Sequence, residues 1–166
     1  IDQGSLGAGS NYLITFTAGA FTIIAADVQV LADEVSKVYG EEDPSLTFTV
    51  VDGSPEEIEL ITGALSRASG EDVGSYVIVQ GDLTGGDNLN LSFIGGTFTI
   101  SQAPLELTAD DLSKSYGEDD PLMTYSITIG SLAEGDLIAG MPEREPGEIT
   151  GTYAIGVGGL DAGVNY

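Results

Sequence analysis

Residues 28–89 of this chain are written a second time as residues 105–166, at an offset of 77 and without a gap, and 26 of the 62 aligned positions are identical. A repeat of this length reads as one folding unit made twice, with each copy adopting the same local structure. The segment 4–23 also returns as 81–100 at the same offset. On this frame residues 1–25 are the final hairpin of a preceding repeat, 26–103 a complete β-repeat, and 104–166 a second β-repeat lacking its final hairpin. A permuted frame, with units 11–88 and 89–165, is the alternative. The opening Ile1-Asp2-Gln3-Gly4 has no basic region or signal-peptide core, so the sequence reads as cut from something longer or as having had a signal removed.

The identities that persist between copies are concentrated. Ser36-Lys37-x-Tyr39-Gly40-Glu41-x-Asp43-Pro44 returns as Ser113-Lys114-x-Tyr116-Gly117-Glu118-x-Asp120-Pro121. Arg67-x-x-Gly70-Glu71-x-x-Gly74-x-Tyr76-x-Ile78 returns as Arg144-x-x-Gly147-Glu148-x-x-Gly151-x-Tyr153-x-Ile155. The chain has four basic residues, and they occupy two equivalent pairs of positions. Scattered surface charges would not align in this way. Lys37, Arg67, Lys114 and Arg144 are therefore expected to have structural partners among nearby carboxylates, Arg being suited to a bidentate pair.

Alternation of apolar and polar residues marks short strands at 28–32, 46–50, 62–67 and 74–79, with counterparts at 105–109 and 123–127. Residues 89–93 and 97–100 read as a hairpin across Gly95-Gly96. Residues 55–61 are compatible with one helical turn. Gly-punctuated β-formers with little helical periodicity predict an all-β chain of antiparallel modules.

Against 4 basic residues stand 27 acidic ones, a net charge of −23 at pH 7. Such a surface repels nucleic-acid phosphate and anionic lipid, so neither is an expected partner. No apolar run is long enough to span a bilayer as a helix, and membrane insertion is not expected. Cys and His are both absent. That removes disulfides, thiol nucleophiles, the usual zinc and haem ligands and the usual proton shuttle.

The Ser-Lys-x-Tyr-Gly-x-x-Asp-Pro element, then Gly-x-Tyr-x-Ile, then Asn-Tyr-x-Ile-x-Phe-x-x-Gly-x-Phe-x-Ile, occur here in order. Together they resemble the MBG domain of the YGX type, a bacterial Ig-like repeat of long surface and adhesin proteins. The resemblance covers nearly the whole chain. It implies tandem Ig-like antiparallel β-sandwich modules, with β-grasp-like modules as the alternative, at an extracellular or cell-surface location and without enzymatic activity. Leu89 departs from the pattern, standing where Tyr12 and Tyr166 stand in the other copies.

Several residues invite a chemical reading. Glu41 and Asp43, with Glu118 and Asp120, lie in Gly/Pro-bounded acidic loops whose hard oxygens suit calcium. The same loops also read as plain turns, with Asp before Pro initiating them. No other cofactor is expected. Tyr76 and Tyr153 are expected to make structural corner hydrogen bonds to nearby backbone. Lys37 and Lys114 with Asn88 and Asn165 suggest an isopeptide crosslink, and ion pairing is the simpler reading. Carboxylate pairs suited to glycoside hydrolysis arise by chance on so acidic a surface, and no enzyme is expected. The functional expectation is a structural stalk that spaces or presents a binding tip. The alternative is a direct adhesion module for a glycan or a cell-surface protein. The partners expected are neighbouring repeats, with head-to-tail strand exchange between molecules where a module lacks its last strands.

Overall fold

The computed structural model describes residues 11–166. The first ten residues, which carry the start of the upstream repeat segment, lie outside the described part. The described chain is all-β apart from short helical turns. Repeat 1 holds β1 (Ala26–Ala32), β2 (Val35–Val38), β3 (Phe48–Asp52), α1 (Pro55–Ile58), β4 (Ser66–Arg67), β5 (Gly74–Val79), β6 (Leu89–Ile94) and β7 (Gly96–Ser101). Repeat 2 holds β8 (Glu106–Ala109), β9 (Tyr125–Ile129), β10 (Glu143–Arg144) and β11 (Ile155–Gly156). The single turn α1 carries a capping box in which Ser54 and Glu57 satisfy each other's backbone N–H.

Two sheets build repeat 1, in the orders β3-β1-β6 and β2-β7-β5-β4. The same two stretches of chain enter both. Residues 26–38 form β1, bend at Asp33-Glu34 and continue as β2; residues 89–101 form β6, bend at Gly95 and continue as β7. The two stretches run side by side and parallel throughout, pairing Ala26 with Leu89, Leu31 with Ile94, Val35 with Phe98 and Val38 with Ser101. All other strand pairs are antiparallel.

This arrangement corrects two expectations. β6 and β7 are not a hairpin, because they lie in different sheets and do not pair with each other. Nor is the module purely antiparallel, because its first and last stretches run in the same direction. A two-residue hairpin of the expected kind needs left-handed φ, and neither Gly95 nor Gly96 adopts it. Gly96 serves close approach instead: a Cβ there would meet the Ala32 carbonyl oxygen at 2.7 Å. The excursion through residues 39–88 returns the chain to its starting end, which is what parallel pairing requires.

The alternation read from the sequence then places the core. Val28, Val30, Leu83 and Leu89 are buried under the first sheet, and Ala32, Ile78, Phe98 and Ile100 under the second. Leu65 and Phe93 pack against both clusters and join them. β2 went unrecognised in the sequence because Lys37 occupies an inward position, which breaks the apolar alternation.

Repeat 2 reproduces the local pattern at the offset of 77. A register shift falls at Gln29/Val30 in β1 and again at Glu106/Leu107 in β8. Arg67 pairs with Ile78, and Arg144 with Ile155. The isolated bridge Thr62–Thr84 recurs as Ala139–Asp161. The difference is closure. Residues up to Tyr166 reach only the position of Leu89, so among the described residues no stretch lies where β6 and β7 lie in repeat 1. Residues 112–115, the counterpart of β2, consequently form no strand, and beyond Ile100 Pro142 is the one buried apolar residue among those described. Residues 11–25 form no strand and are exposed along their length.

The close approach at Gly96 is testable. Asn is well tolerated in a hairpin turn with left-handed φ, but here any side chain collides with the Ala32 backbone. Gly96→Asn is expected to destabilise repeat 1 by about 2 kcal/mol, in the range for overpacked sites, measured by urea titration of the intact chain.

Candidate functional site: an ion-pair clasp and the junction between repeats

The four basic residues organise two copies of one site. In repeat 1, Lys37 points inward from β2, and Arg67 stands on β4. Asp43 comes from the turn 39–44, and Glu71 from the loop entering β5. Lys37 Nζ lies 2.7 Å from Asp43 Oδ1 and 2.5 Å from Glu71 Oε2. Arg67 grips Asp43 in a fork, with Nε 2.6 Å from Oδ2 and Nη2 3.0 Å from Oδ1, and Nη2 also reaches Glu71 Oε1 at 2.5 Å. Its Nη1 donates to the carbonyls of Ala68 and Gly70 at 3.0 and 2.6 Å. All five guanidinium N–H donors are thereby used. The guanidinium carbon also stacks over Phe98 at 4.6 Å and Tyr76 at 5.4 Å. Tyr76 is fixed in turn, its hydroxyl donating to the Asp72 carbonyl at 2.7 Å. Gly70 lies directly against the Tyr76 ring, where a Cβ would not fit.

Repeat 2 carries the same clasp. Lys114 contacts Asp120 at 2.6 Å and Glu148 at 2.7 Å. Arg144 forks Asp120 at 2.7 and 3.1 Å and contacts Glu148 at 2.5 Å. Tyr153 donates to the Ile149 carbonyl at 2.7 Å and stacks 5.4 Å from Arg144. Among its described residues repeat 2 has no counterpart of Phe98. Its lysine is accordingly less enclosed, with 22% of the Lys114 side chain exposed against 4% for Lys37.

Each clasp brings two cations and two carboxylates together, so it is locally neutral on a strongly acidic chain. Hydrogen bonds from Arg67, then Lys37, hold the Asp43 carboxyl down at about 2, and Arg144 and Lys114 do the same to Asp120, also at about 2. Glu71 is lowered by Lys37 and Arg67, and Glu148 by Lys114 and Arg144. Burial presses the Lys37 ammonium down, but Asp43 and Glu71 outweigh that and leave it raised.

The sequence-selected acidic residues therefore have protein partners. Asp43 and Asp120 are engaged by Lys and Arg, and a cation at either would have to displace them. Glu41 and Glu118 accept from the backbone N–H of Val38 at 3.0 Å and Ser115 at 2.9 Å, closing their own turns. Among the described residues no group of three or more acidic side chains is placed to hold a metal ion. Lys37 and Asn88 are not paired with each other. Asn165 serves the junction instead.

That junction was not legible in the sequence. Tyr39 and Tyr166 both donate to Asp136 Oδ2, at 2.9 and 2.6 Å, and their rings meet edge to face at 5.5 Å. Tyr166 also accepts from Ala133 N at 2.7 Å. Asn165 Oδ1 accepts from Val73 N at 2.9 Å, and its Nδ2 donates to Asp72 at 3.0 Å. Ala103 N donates to the Asn165 carbonyl at 2.9 Å, tying the connecting segment to repeat 2. The one sequence signal was the Asn-Tyr pair, seen at 11–12 and 165–166.

A family described as MBG domain (YGX type) matches residues 28–99 and 105–166. No curated protein and no solved structure matches the chain.

Two outcomes follow from the clasp. Arg67→Ala is expected to destabilise repeat 1 by about 3 kcal/mol, because it removes the fork on Asp43 and the stack over Phe98 and leaves Lys37 alone between two carboxylates, whereas Arg144→Ala in the more open site destabilises less. The second concerns pH. An unfolded Asp titrates near 3.9, so the clasp's contribution is complete above that value and is lost as pH falls toward about 2. Acidification also relieves repulsion among the many carboxylates. The quantity to follow is therefore the stability difference between the wild type and Asp43→Asn, which is expected to be constant above about pH 5 and to shrink toward zero near pH 2.

Proposed function

The chain belongs to the MBG (YGX type) family, and from that membership and the junction geometry we propose that it is a non-catalytic stalk segment of a bacterial surface or secreted adhesin, spacing or presenting a tip domain outside the cell. Domains of this family are repeat modules of surface proteins. No helix among the described residues is long and apolar enough to cross a membrane.

The observation that carries the reading is the junction. A spacer must transmit position from one module to the next, so successive modules need defined mutual contacts. Here a hydrogen-bonded tyrosine pair on one carboxylate, an asparagine holding the next loop, and a backbone bond from the connecting segment supply them. The clasps support the same role, because they brace the turn 39–44 from which Tyr39 reaches the junction. Neither clasp pairs an unengaged nucleophile with a base, and its charged groups are saturated by each other. In repeat 1 the aromatic side chains that β6 and β7 contribute are enclosed in the core or nearly so, which does not favour a ligand-stacking face.

The junction predicts a measurable stiffness. Asp136→Ala combined with Asn165→Ala is expected to leave both repeats folded, while small-angle scattering shows a broader distribution of end-to-end distances. The spacer reading itself is tested by presenting the isolated wild-type chain to glycan arrays and intact cells. Appreciable binding in either assay would overturn it in favour of direct adhesion.

A further inference from the structure

The junction between the repeats brings two phenols onto one carboxylate oxygen. The Tyr39 and Tyr166 hydroxyls both donate to Asp136 Oδ2, at 2.9 and 2.6 Å. Their rings meet edge to face with centroids 5.5 Å apart, and among the described residues no other two aromatic rings are in such contact. Hydroxyls that converge on one atom bring the ring carbons ortho to them toward one another. A bond between those carbons leaves both hydroxyls on the side where Asp136 already receives them. The hydrogen bond that Asp136 accepts holds the Tyr39 hydroxyl protonated, and burial and then the same carboxylate do so for Tyr166. Both residues therefore start as phenols, with an acceptor for the departing proton in place.

Four other tyrosines differ. Tyr76 and Tyr153 each lie 5.4 Å from an arginine guanidinium and donate to a backbone carbonyl. The positive charge opposes electron loss from those rings, and no carboxylate takes their proton. Tyr12 and Tyr116 are 75% and 82% exposed and open to other molecules, whereas Tyr39 and Tyr166 are half-buried against each other. The chain has no cysteine, so oxidation does not staple it through sulfur.

We propose that Tyr39 and Tyr166 are a site of oxidative crosslinking: hydrogen peroxide, acting through a one-electron peroxidase, joins their rings by a carbon–carbon bond and fastens repeat 1 covalently to repeat 2. Each tyrosine gives one electron to the oxidant and passes its phenolic proton through Asp136 to solvent. The two phenoxyl radicals pair their electrons in a bond between ortho carbons. The hydrogen on each joined carbon then moves to its oxygen, which restores two phenols. The pair has lost two electrons and two protons, and these with one peroxide make two waters. The crosslink closes the chain between residues 39 and 166 and limits how far the unfolded chain expands. It is specific to this joint, because repeat 1 has Leu89 at the position of Tyr166. The inference rests on the junction geometry and is independent of the stalk reading.

The test oxidises the intact chain, dilute, with hydrogen peroxide and a haem peroxidase. A monomeric product lighter by two hydrogens, with dityrosine fluorescence, is expected, and its share should not change with chain concentration. Methionine oxidation adds mass instead of removing it, so the two reactions are told apart. Proteolysis and mass spectrometry should join the peptides that carry Tyr39 and Tyr166. The product should melt at a higher temperature than the unoxidised chain and show a narrower distribution of end-to-end distances in small-angle scattering. Tyr39→Phe and Tyr166→Phe should each abolish it, and Tyr116→Phe should leave it. Asp136→Asn should slow its formation, the carboxylate being a positioning group that also takes the proton. Absence of an intramolecular product would overturn the proposal. So would a crosslink that maps to Tyr12 or Tyr116, or one that survives Tyr39→Phe.

Discussion

The fold of each repeat depends on one pairing: the stretch 89–101 lies parallel to 26–38 over its whole length and crosses with it from one sheet to the other. Because both stretches bend at the same level, each contributes a strand to both sheets, and the two halves of the core are covalently and sterically continuous. The other pairings do not depend on that second stretch being among the described residues. Repeat 2 keeps its antiparallel ladders, its register shift and its clasp. Among the described residues its side chains are less enclosed than those of repeat 1.

The clasp shows how closure changes the meaning of the same four residues. In both repeats Lys, Arg, Asp and Glu meet at nearly the same distances. In repeat 1, Phe98 covers the guanidinium, and the lysine on β2 is enclosed beside β7. There the two cations are largely shielded from water while the carboxylates remain open to it, so removing the carboxylates would leave enclosed positive charge. In repeat 2 the carboxylates are about as open as in repeat 1, but the lysine and arginine are less enclosed, so hydration competes more with their attraction. Identical sequence elements thus sit in unequal surroundings within the described residues, Lys37 being more enclosed than Lys114.

The site was legible in part. Two lysines and two arginines at equivalent positions in a chain so short of cations pointed to fixed partners, and the geometry places those partners at Asp43, Glu71, Asp120 and Glu148. The acidic turns also stood out, since Gly40 and Pro44 frame them. That Asp43 faces Arg67 rather than solvent was not readable, because it depends on β4 lying beside β5. The junction escaped for a similar reason: Tyr39, Asp136 and Tyr166 are far apart in the chain and belong to different repeats. No local pattern marks Asp136 among so many acids.

What the sequence determined by itself is what short range and periodicity control: the repeat, its 77-residue offset, the β character, the inward phase of most strands and a helical turn within 55–61. These follow from alternation and turn residues, which act within a few neighbours. Only the tertiary structure decided the direction of the last strands. Gly95-Gly96 is equally compatible with a turn and with a close crossing, and the choice rests on whether a neighbouring backbone occupies the space a side chain would need. At Gly96 the Ala32 carbonyl does occupy it. The chain therefore continues past the glycines instead of reversing, and the parallel pairing and the enclosure of Lys37 beside β7 follow from that.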